Sequence, residues 1–155
     1  MAALDPRTRS LIESRQNDII DAWAASFAQT TADGRTSQRE LEEQVRRFWQ
    51  LLLGAIATAD VASLQGPAWE ETRHFLEDLT RERVLKGFSA AETANFVFSL
   101  KKPLFDAIEQ GHAGEPQLMA AQLRVASELV DQLGMHTVKV FQKNREDVIK
   151  RQQEE

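Results

Sequence analysis

Apolar side chains recur every three or four residues in one segment after another of this 155-residue chain. This spacing places them along one side of an α-helix, and no segment alternates apolar and polar residues as a half-buried strand does. The length suits one domain with a hydrophobic core, and 42% hydrophobic with 28% charged residues is ordinary for a globular protein. The sequence therefore predicts a single all-α domain.

Capping residues and turn residues divide the first half of the chain into three helices. Asp5 and Pro6 begin the first helix, which the apolar spacing extends to about Gln29. The capping box Ser37-Gln38-Arg39-Glu40 begins the second helix, and Gly66-Pro67 separates it from the third. We expect the second helix to be central, because its apolar surface is wider than one stripe.

Two more helices follow in the second half, which makes about five in all. Gly87 ends the third helix, and the capping box Ser89-Ala90-Ala91-Glu92 begins the fourth. Pro103 lies inside the fourth helix and predicts a kink, because it removes a backbone bond to Ser99. The last and longest helix begins near Glu115-Pro116.

The last two helices carry the candidate interaction surface. Along the last helix, five apolar residues follow a near-heptad line that would bring each close to its symmetry mate in a dimer: Met119, Ala126, Leu129, Leu133 and Val140. The fourth helix has a second apolar face with Phe98 and Phe105. That face is core if the helix lies between other helices, or a partner surface if the helix is exposed.

The sequence changes character after residue 141. Residues 142–155 are almost entirely charged or amide residues, with Val148 and Ile149 as the apolar exceptions. This composition cannot form a packed face. We expect residues 1–141 to form the domain and residues 142–155 to form a helical linker towards an output domain that the sequence does not contain; the alternative is a frayed C-terminus.

Composition argues against several classes of function. The chain has no cysteine, and we find neither a G-x-S-x-G elbow nor a phosphate-binding glycine loop, so we expect no catalytic residue. A net charge of −5 disfavours nucleic acid and anionic lipid as partners. No apolar run is long enough to cross a bilayer and no secretory signal is present, so we expect a cytoplasmic protein outside the membrane.

The three histidines do not predict a metal or haem site. His74 falls opposite the apolar line of its helix, among four carboxylates at helical spacing: Glu70, Glu71, Glu77 and Asp78. We interpret this group as a solvated charged face. His112 lies between glycine-bearing loop residues, and His136 flanks the last helix's apolar line, where a hydrogen-bonded structural histidine is expected. The sequence thus predicts no cofactor and no metal.

One stretch, RERVLKGFSAAETANFVFSLKKPLF (Arg81 to Phe105), resembles the N-terminal domain of RsbR and its paralogues, the co-antagonists of the RsbT kinase. The motif Ile19-Ile20-Asp21-Ala22-Trp23 and the pair Phe48-Trp49 match the same family. The resemblance implies a globin-like helical fold that generally lacks haem, forms dimers and projects from a large signalling assembly, the stressosome. It also implies a phosphorylatable STAS domain after this one, and the family's phosphoacceptor residues belong to that part.

Two functional hypotheses follow. The first is a cofactor-free, non-enzymatic sensory and interaction domain that passes a stress signal through its C-terminal helix to a STAS-type output domain. The alternative is a globin-like protein that holds haem or a small apolar molecule between its helices, lined by Trp23, Trp49, Phe96 and Leu100.

Overall fold

The computed structural model describes residues 3–30, 34–61 and 63–154. Within these ranges the chain forms seven α-helices and a short 3₁₀ turn, Pro67–Trp69, without any strand. The helices are α1 (Pro6–Ser14), α2 (Gln16–Thr30), α3 (Gln38–Ile56), α4 (Glu70–Leu85), α5 (Ala90–Phe98), α6 (Lys101–Gly111) and α7 (Pro116–Glu154). Positions 1, 2, 31–33, 62 and 155 of the predicted domain and linker lie outside the described residues. The prediction of an all-α, globin-like bundle with a long C-terminal helix is confirmed.

The predicted first helix is two helices, so the expectation of one continuous helix is wrong. The backbone leaves helical geometry at Arg15, which has φ −105° and ψ 13°. Just before it, the Ser14 hydroxyl donates to the carbonyl oxygen of Leu11 at 2.8 Å, a local bond that competes with regular helix geometry. Apolar spacing continues across the bend and therefore does not reveal it.

The predicted fourth helix is also two helices, and Pro103 marks a break rather than a kink. α5 ends at Phe98, and the N–H of Leu100 donates to the carbonyl of Val97 at 3.1 Å, which tightens the chain into a turn. Pro103 then lies in the first turn of α6, where its missing N–H has no partner within the helix to lose.

The predicted serine caps at Ser37 and Ser89 are confirmed. The amide N–H groups of Glu40 and Glu92 donate to the hydroxyls of Ser37 and Ser89 at 3.1 and 3.0 Å. At Ser89 the capping box is complete, because the Glu92 carboxylate accepts the Ser89 N–H in return. Gly87, after α4, has φ +82°, as expected of a glycine that ends a helix.

The core is built around four aromatic rings from three different helices. Trp23 and Phe27 of α2, Phe48 of α3 and Phe96 of α5 are all at most 1% exposed. The Phe96 ring centroid lies 5.2 to 5.7 Å from those of Trp23, Phe27 and Phe48, in tilted or edge-to-face arrangements. Such pairs stabilise beyond the apolar area that they bury. The helix α7 closes this core by packing against α4, α5 and α6.

Candidate functional site

The helix α7 is the feature that sets this bundle apart, because one uninterrupted helix extends from the core into solvent. Its 39 residues begin at Pro116, and its buried positions end at Phe141. From 142 to 154 every described side chain is exposed except Asn144 and Val148, which are half-buried. At 1.5 Å per residue, this outer segment reaches about 20 Å beyond the last buried side chain.

The five residues of the near-heptad line divide into two groups. Ala126, Leu129 and Leu133 are at most 1% exposed and pack inside the chain's own core. Met119 and Val140, at the two ends of the line, are only partly buried. The middle of the line is therefore covered without a second copy, whereas its ends keep free surface.

The second apolar face of α5 and α6 is also largely covered. Phe98 and Phe105 are half-buried and pack against the core. The Phe98 ring lies directly against Gly134 of α7, so close that a β-carbon at position 134 would overlap the ring. Both side chains therefore pack against the chain's own core and also retain some exposed surface.

The residues proposed to line a ligand cavity instead fill the interior. Trp23, Trp49, Phe96 and Leu100 are at most 1% exposed. The Trp23 indole N–H donates to the carbonyl of Phe96 at 2.8 Å, and the Trp49 indole N–H donates to Gln16 Oε1 at 3.2 Å. Haem or a comparable molecule would have to displace these packed rings.

The three histidines occupy three different environments. His74 is exposed, as predicted. His112 is 2% exposed and its Nε2 lies 2.8 Å from the Thr8 hydroxyl, so the loop position implied by its glycine neighbours is a buried one. His136 is half-buried, but its Nε2 has no hydrogen-bond partner in the described part of the chain. The hydrogen bond expected of a structural histidine is therefore not made through Nε2.

The carboxylates around His74 do not converge on it. Glu77 Oε1 instead lies 3.9 Å from His136 Nε2, across the contact between α4 and α7. Asp78 pairs with Arg81 at 3.5 Å on the surface. Within the described ranges, no three histidine or carboxylate side chains come together where a metal ion could be held.

One buried arginine, Arg83 of α4, contacts residues at and just before the first turns of α3. The Arg83 guanidinium is fully buried and donates to Gln44 Oε1 at 2.6 Å and Thr36 Oγ1 at 3.4 Å. Burial lowers the pKa of Arg83, although the Glu82 carboxylate partly offsets this effect. Arg35 and Arg83 both lie over the Phe88 ring, at 3.9 and 5.0 Å from its centroid. The cluster ties the chain before α3 to the turn after α4.

No helix of the described residues combines the length and apolar character that crossing a bilayer requires. The model of one protein family, described as the RsbT co-antagonist protein rsbRD N-terminal domain, matches residues 17–155. No curated protein and no solved structure gives a significant match. The matched range begins one residue inside α2 and continues through α7.

Proposed function

Because the chain belongs to the family of RsbT co-antagonist rsbRD N-terminal domains, we propose that it is the sensory and interaction domain of a stressosome-type co-antagonist. In this proposal the domain binds no cofactor, catalyses no reaction, acts in the cytoplasm and forms a homodimer. It passes a stress signal along α7 to an output domain of the STAS type. Residues 1–141 receive the signal, and residues 142–155 connect the domain to its output.

The continuity of α7 is the observation that carries the proposal. The same helix contributes Leu129, Val130 and Leu133 to the core and leaves its last turns in solvent. A change in the packing of α7 against α4, α5 and α6 therefore also moves the exposed end. Small helix shifts of this kind are an established means of switching between two packed states.

The exposed end of α7 has the composition of a stiff helix. No glycine or proline occurs between Met135 and Glu154. Opposite charges recur four residues apart, at Lys143 and Asp147, Glu146 and Lys150, Asp147 and Arg151, and Lys150 and Glu154. Such spacing stabilises a solvent-exposed helix by about 0.2–0.5 kcal/mol per pair. The segment is suited to carry a displacement rather than to absorb it.

We place the contact with a second copy at the outer face of α7. Met135, on the side of α7 opposite the buried line, is 51% exposed. Met119 and Val140, at the two ends of the buried line, are only partly exposed. The same helix is held against the core by Ala126, Leu129 and Leu133. Light scattering coupled to size exclusion tests this step: we expect a mass near twice 17.5 kDa, and a strict monomer at high micromolar concentration would contradict it.

The proposed transmission is tested by interrupting the exposed helix without touching the domain. In the natural protein, replacing Arg145 and Glu146 together by glycine should uncouple the stress response, because two glycines cost about 2 kcal/mol of helix stability. Replacing the same pair by alanine removes the same side chains and keeps the helix, so the response should persist. Equal responses of the two variants would contradict a rigid connection.

Two further measurements test the remaining parts of the proposal. The reading frame beyond Glu155 should encode a STAS-type alternation of strands and helices, and a stop codon there would contradict the output domain. Protein expressed with a supply of haem should show no Soret band. A Soret band of stoichiometric intensity would contradict a cofactor-free domain.

A further inference from the structure

The contact between α4 and α7 contains an ionisable pair with an unsatisfied nitrogen. His136 Nε2 on α7 is buried and makes no hydrogen bond to any described residue. The nearest carboxylate oxygen is Glu77 Oε1 on α4, at 3.9 Å. This distance is too long for a hydrogen bond but short enough for an electrostatic attraction once the imidazole is protonated.

The charges around His136 come from both helices. Glu77 and Arg73 face it from α4, and Lys139 faces it from α7. Asp131, one turn earlier on α7, is paired with Lys101 of α6 at 2.7 Å. The adjoining loop contributes Ser63, Leu64 and Gln65, none of which ionises. Two cations and one carboxylate therefore surround the ring.

A groove beside the His136 ring offers space for a second position of that ring. It has a volume of about 390 Å³, lies between the loop at 63–65 and α7, and includes His136 in its wall. Arg73 fixes the loop side of this region by donating to the carbonyls of Leu64 and Gly66. The groove wall also contains Gln65, Gln132 and the Asp131 carboxylate, so an imidazolium turned into it would find water and hydrogen-bond acceptors, and Lys139 is a cation in the same wall.

Burial lowers the pKa of His136 below its ordinary value of 6.5; Glu77 opposes this effect, whereas Arg73 and Lys139 add to it. In the unfolded chain the imidazole binds a proton near pH 6.5, but in the packed chain it does so only at lower pH. Between pH 6.5 and the lowered pKa, the unfolded or opened state thus binds more protons than the packed state. Stability is therefore retained above pH 6.5 and decreases as the pH falls towards the lowered pKa.

We propose that His136 makes the contact between α4 and α7 sensitive to protons: the neutral ring stays packed, and the protonated ring turns into the groove and loosens the contact. The signalling consequence of this regulation rests on the proposed function, because α7 is the proposed output helix. Acidification is then an input that the domain reads directly, without a bound ligand. Each unit of pKa difference between packed and opened states corresponds to a tenfold shift in their ratio.

The first experiment follows the histidine rings by NMR during a pH titration of the chain. His136→Gln identifies the His136 signal by its disappearance. We expect a midpoint below pH 6.5, and a still lower midpoint in Glu77→Gln, because that substitution removes the one carboxylate that favours the proton. A midpoint at or above pH 6.5, or one that Glu77→Gln leaves in place, would overturn the proposal.

The second experiment measures unfolding by urea at pH 7.5 and pH 5.5. The folding equilibrium constant of the wild type should decrease on acidification, and His136→Gln should reduce that decrease. His74→Gln is the matched control, because it removes an exposed imidazole from α4 and should keep the wild-type decrease. The comparison is made between pH values within each variant, so a uniformly less stable variant remains informative. Equal decreases in wild type and His136→Gln would refute the role of His136.

A third measurement locates the loosening. Amide hydrogen exchange at pH 5.5, corrected for the intrinsic effect of pH, should be faster around Glu77 and His136 than at pH 7.5, and this difference should be absent in His136→Gln. A difference spread evenly over α2 and α3 would contradict a local contact. All three readouts use the chain alone, so their failure leaves the tests of the dimer and of the output helix unaffected. Conversely, if the chain is monomeric but His136 titrates as expected, the monomer contradicts the proposed function and the proton-sensitive contact still stands.

Discussion

Phe98 of α5 occupies the space in which any residue other than glycine at position 134 of α7 would carry its β-carbon. The missing side chain allows the two helices to approach closely at this crossing. Because α7 is the helix that leaves the bundle, this crossing fixes where it is held. Gly134 is itself buried, so its role is packing rather than flexibility.

Substituting Gly134 tests the importance of this crossing. Gly134→Ala should lower the free energy of unfolding by about 1–3 kcal/mol, because the added methyl group forces the Phe98 ring aside. Gly54→Ala is the control: Gly54 lies within α3, and a β-carbon there meets nothing within 4 Å. The control should instead gain roughly 0.5–1 kcal/mol from higher helix propensity. Urea unfolding followed by tryptophan fluorescence measures both, and a loss in both variants would disprove the steric explanation.

Leu129 and Met135 should separate stability from association. Leu129 is 1% exposed, so Leu129→Ala should cost about 2–5 kcal/mol of unfolding free energy by leaving a cavity. Met135→Ser changes a side chain that is 51% exposed and should alter stability by no more than about 0.5 kcal/mol. Met135→Ser should nevertheless weaken the proposed dimer in sedimentation equilibrium. A dimer unaffected by Met135→Ser would exclude this part of α7 from the interface.

The capping box at Ser89 should be worth a measurable share of stability. Ser89→Ala removes the acceptor for the Glu92 N–H and should cost about 1 kcal/mol. Ser26→Ala, an exposed position inside α2, removes the same hydroxyl where no cap is made, and should be neutral or slightly stabilising. Thermal unfolding of the two variants side by side distinguishes a cap from a general effect of serine.

Glu92 should also make stability dependent on acid pH. The Arg35 guanidinium, and secondly the Ser89 N–H, lower the pKa of the Glu92 carboxyl below 4.5. The charged form therefore stabilises the fold above pH 4.5, and this contribution is lost as the pH falls through the lowered pKa. Glu92→Gln should flatten the stability profile in this acid range. Glu109→Gln, an exposed position on α6, serves as control and should keep the wild-type slope.

The sequence was sufficient to locate the helix ends that serine caps and a glycine mark. Ser37, Ser89 and Gly87 mark helix ends through backbone geometry, which acts within a few residues, and each is found as predicted. Helical spacing also predicts that His74 lies opposite the apolar line of its helix, and His74 is exposed. The resemblance to the family was most specific in residues 81–105, and the family model matches residues 17–155.

Two kinds of feature were not accessible in this way: a break that leaves the apolar spacing intact, and contacts that depend on which helices meet. Apolar spacing continues past Arg15 and therefore does not reveal that α1 ends there. Helical spacing places Glu77 three residues from His74, whereas packing brings Glu77 close to His136, 59 positions later in the chain. His112 and Thr8 are likewise 104 positions apart and meet only in the folded chain. Such pairs cannot be identified from a single sequence, because they depend on which helices pack together.

The length of α7 has one mechanical consequence. With its inner half clamped at the Phe98 crossing and its last turns free, the helix acts as a lever arm. A tilt of about 5° at the clamp displaces a tip about 30 Å away, the span of 20 residues, by roughly 2.5 Å. Under the proposed function, a rearrangement too small to disturb the aromatic interior would still displace the exposed end of α7 by an amount that a bound output domain can respond to.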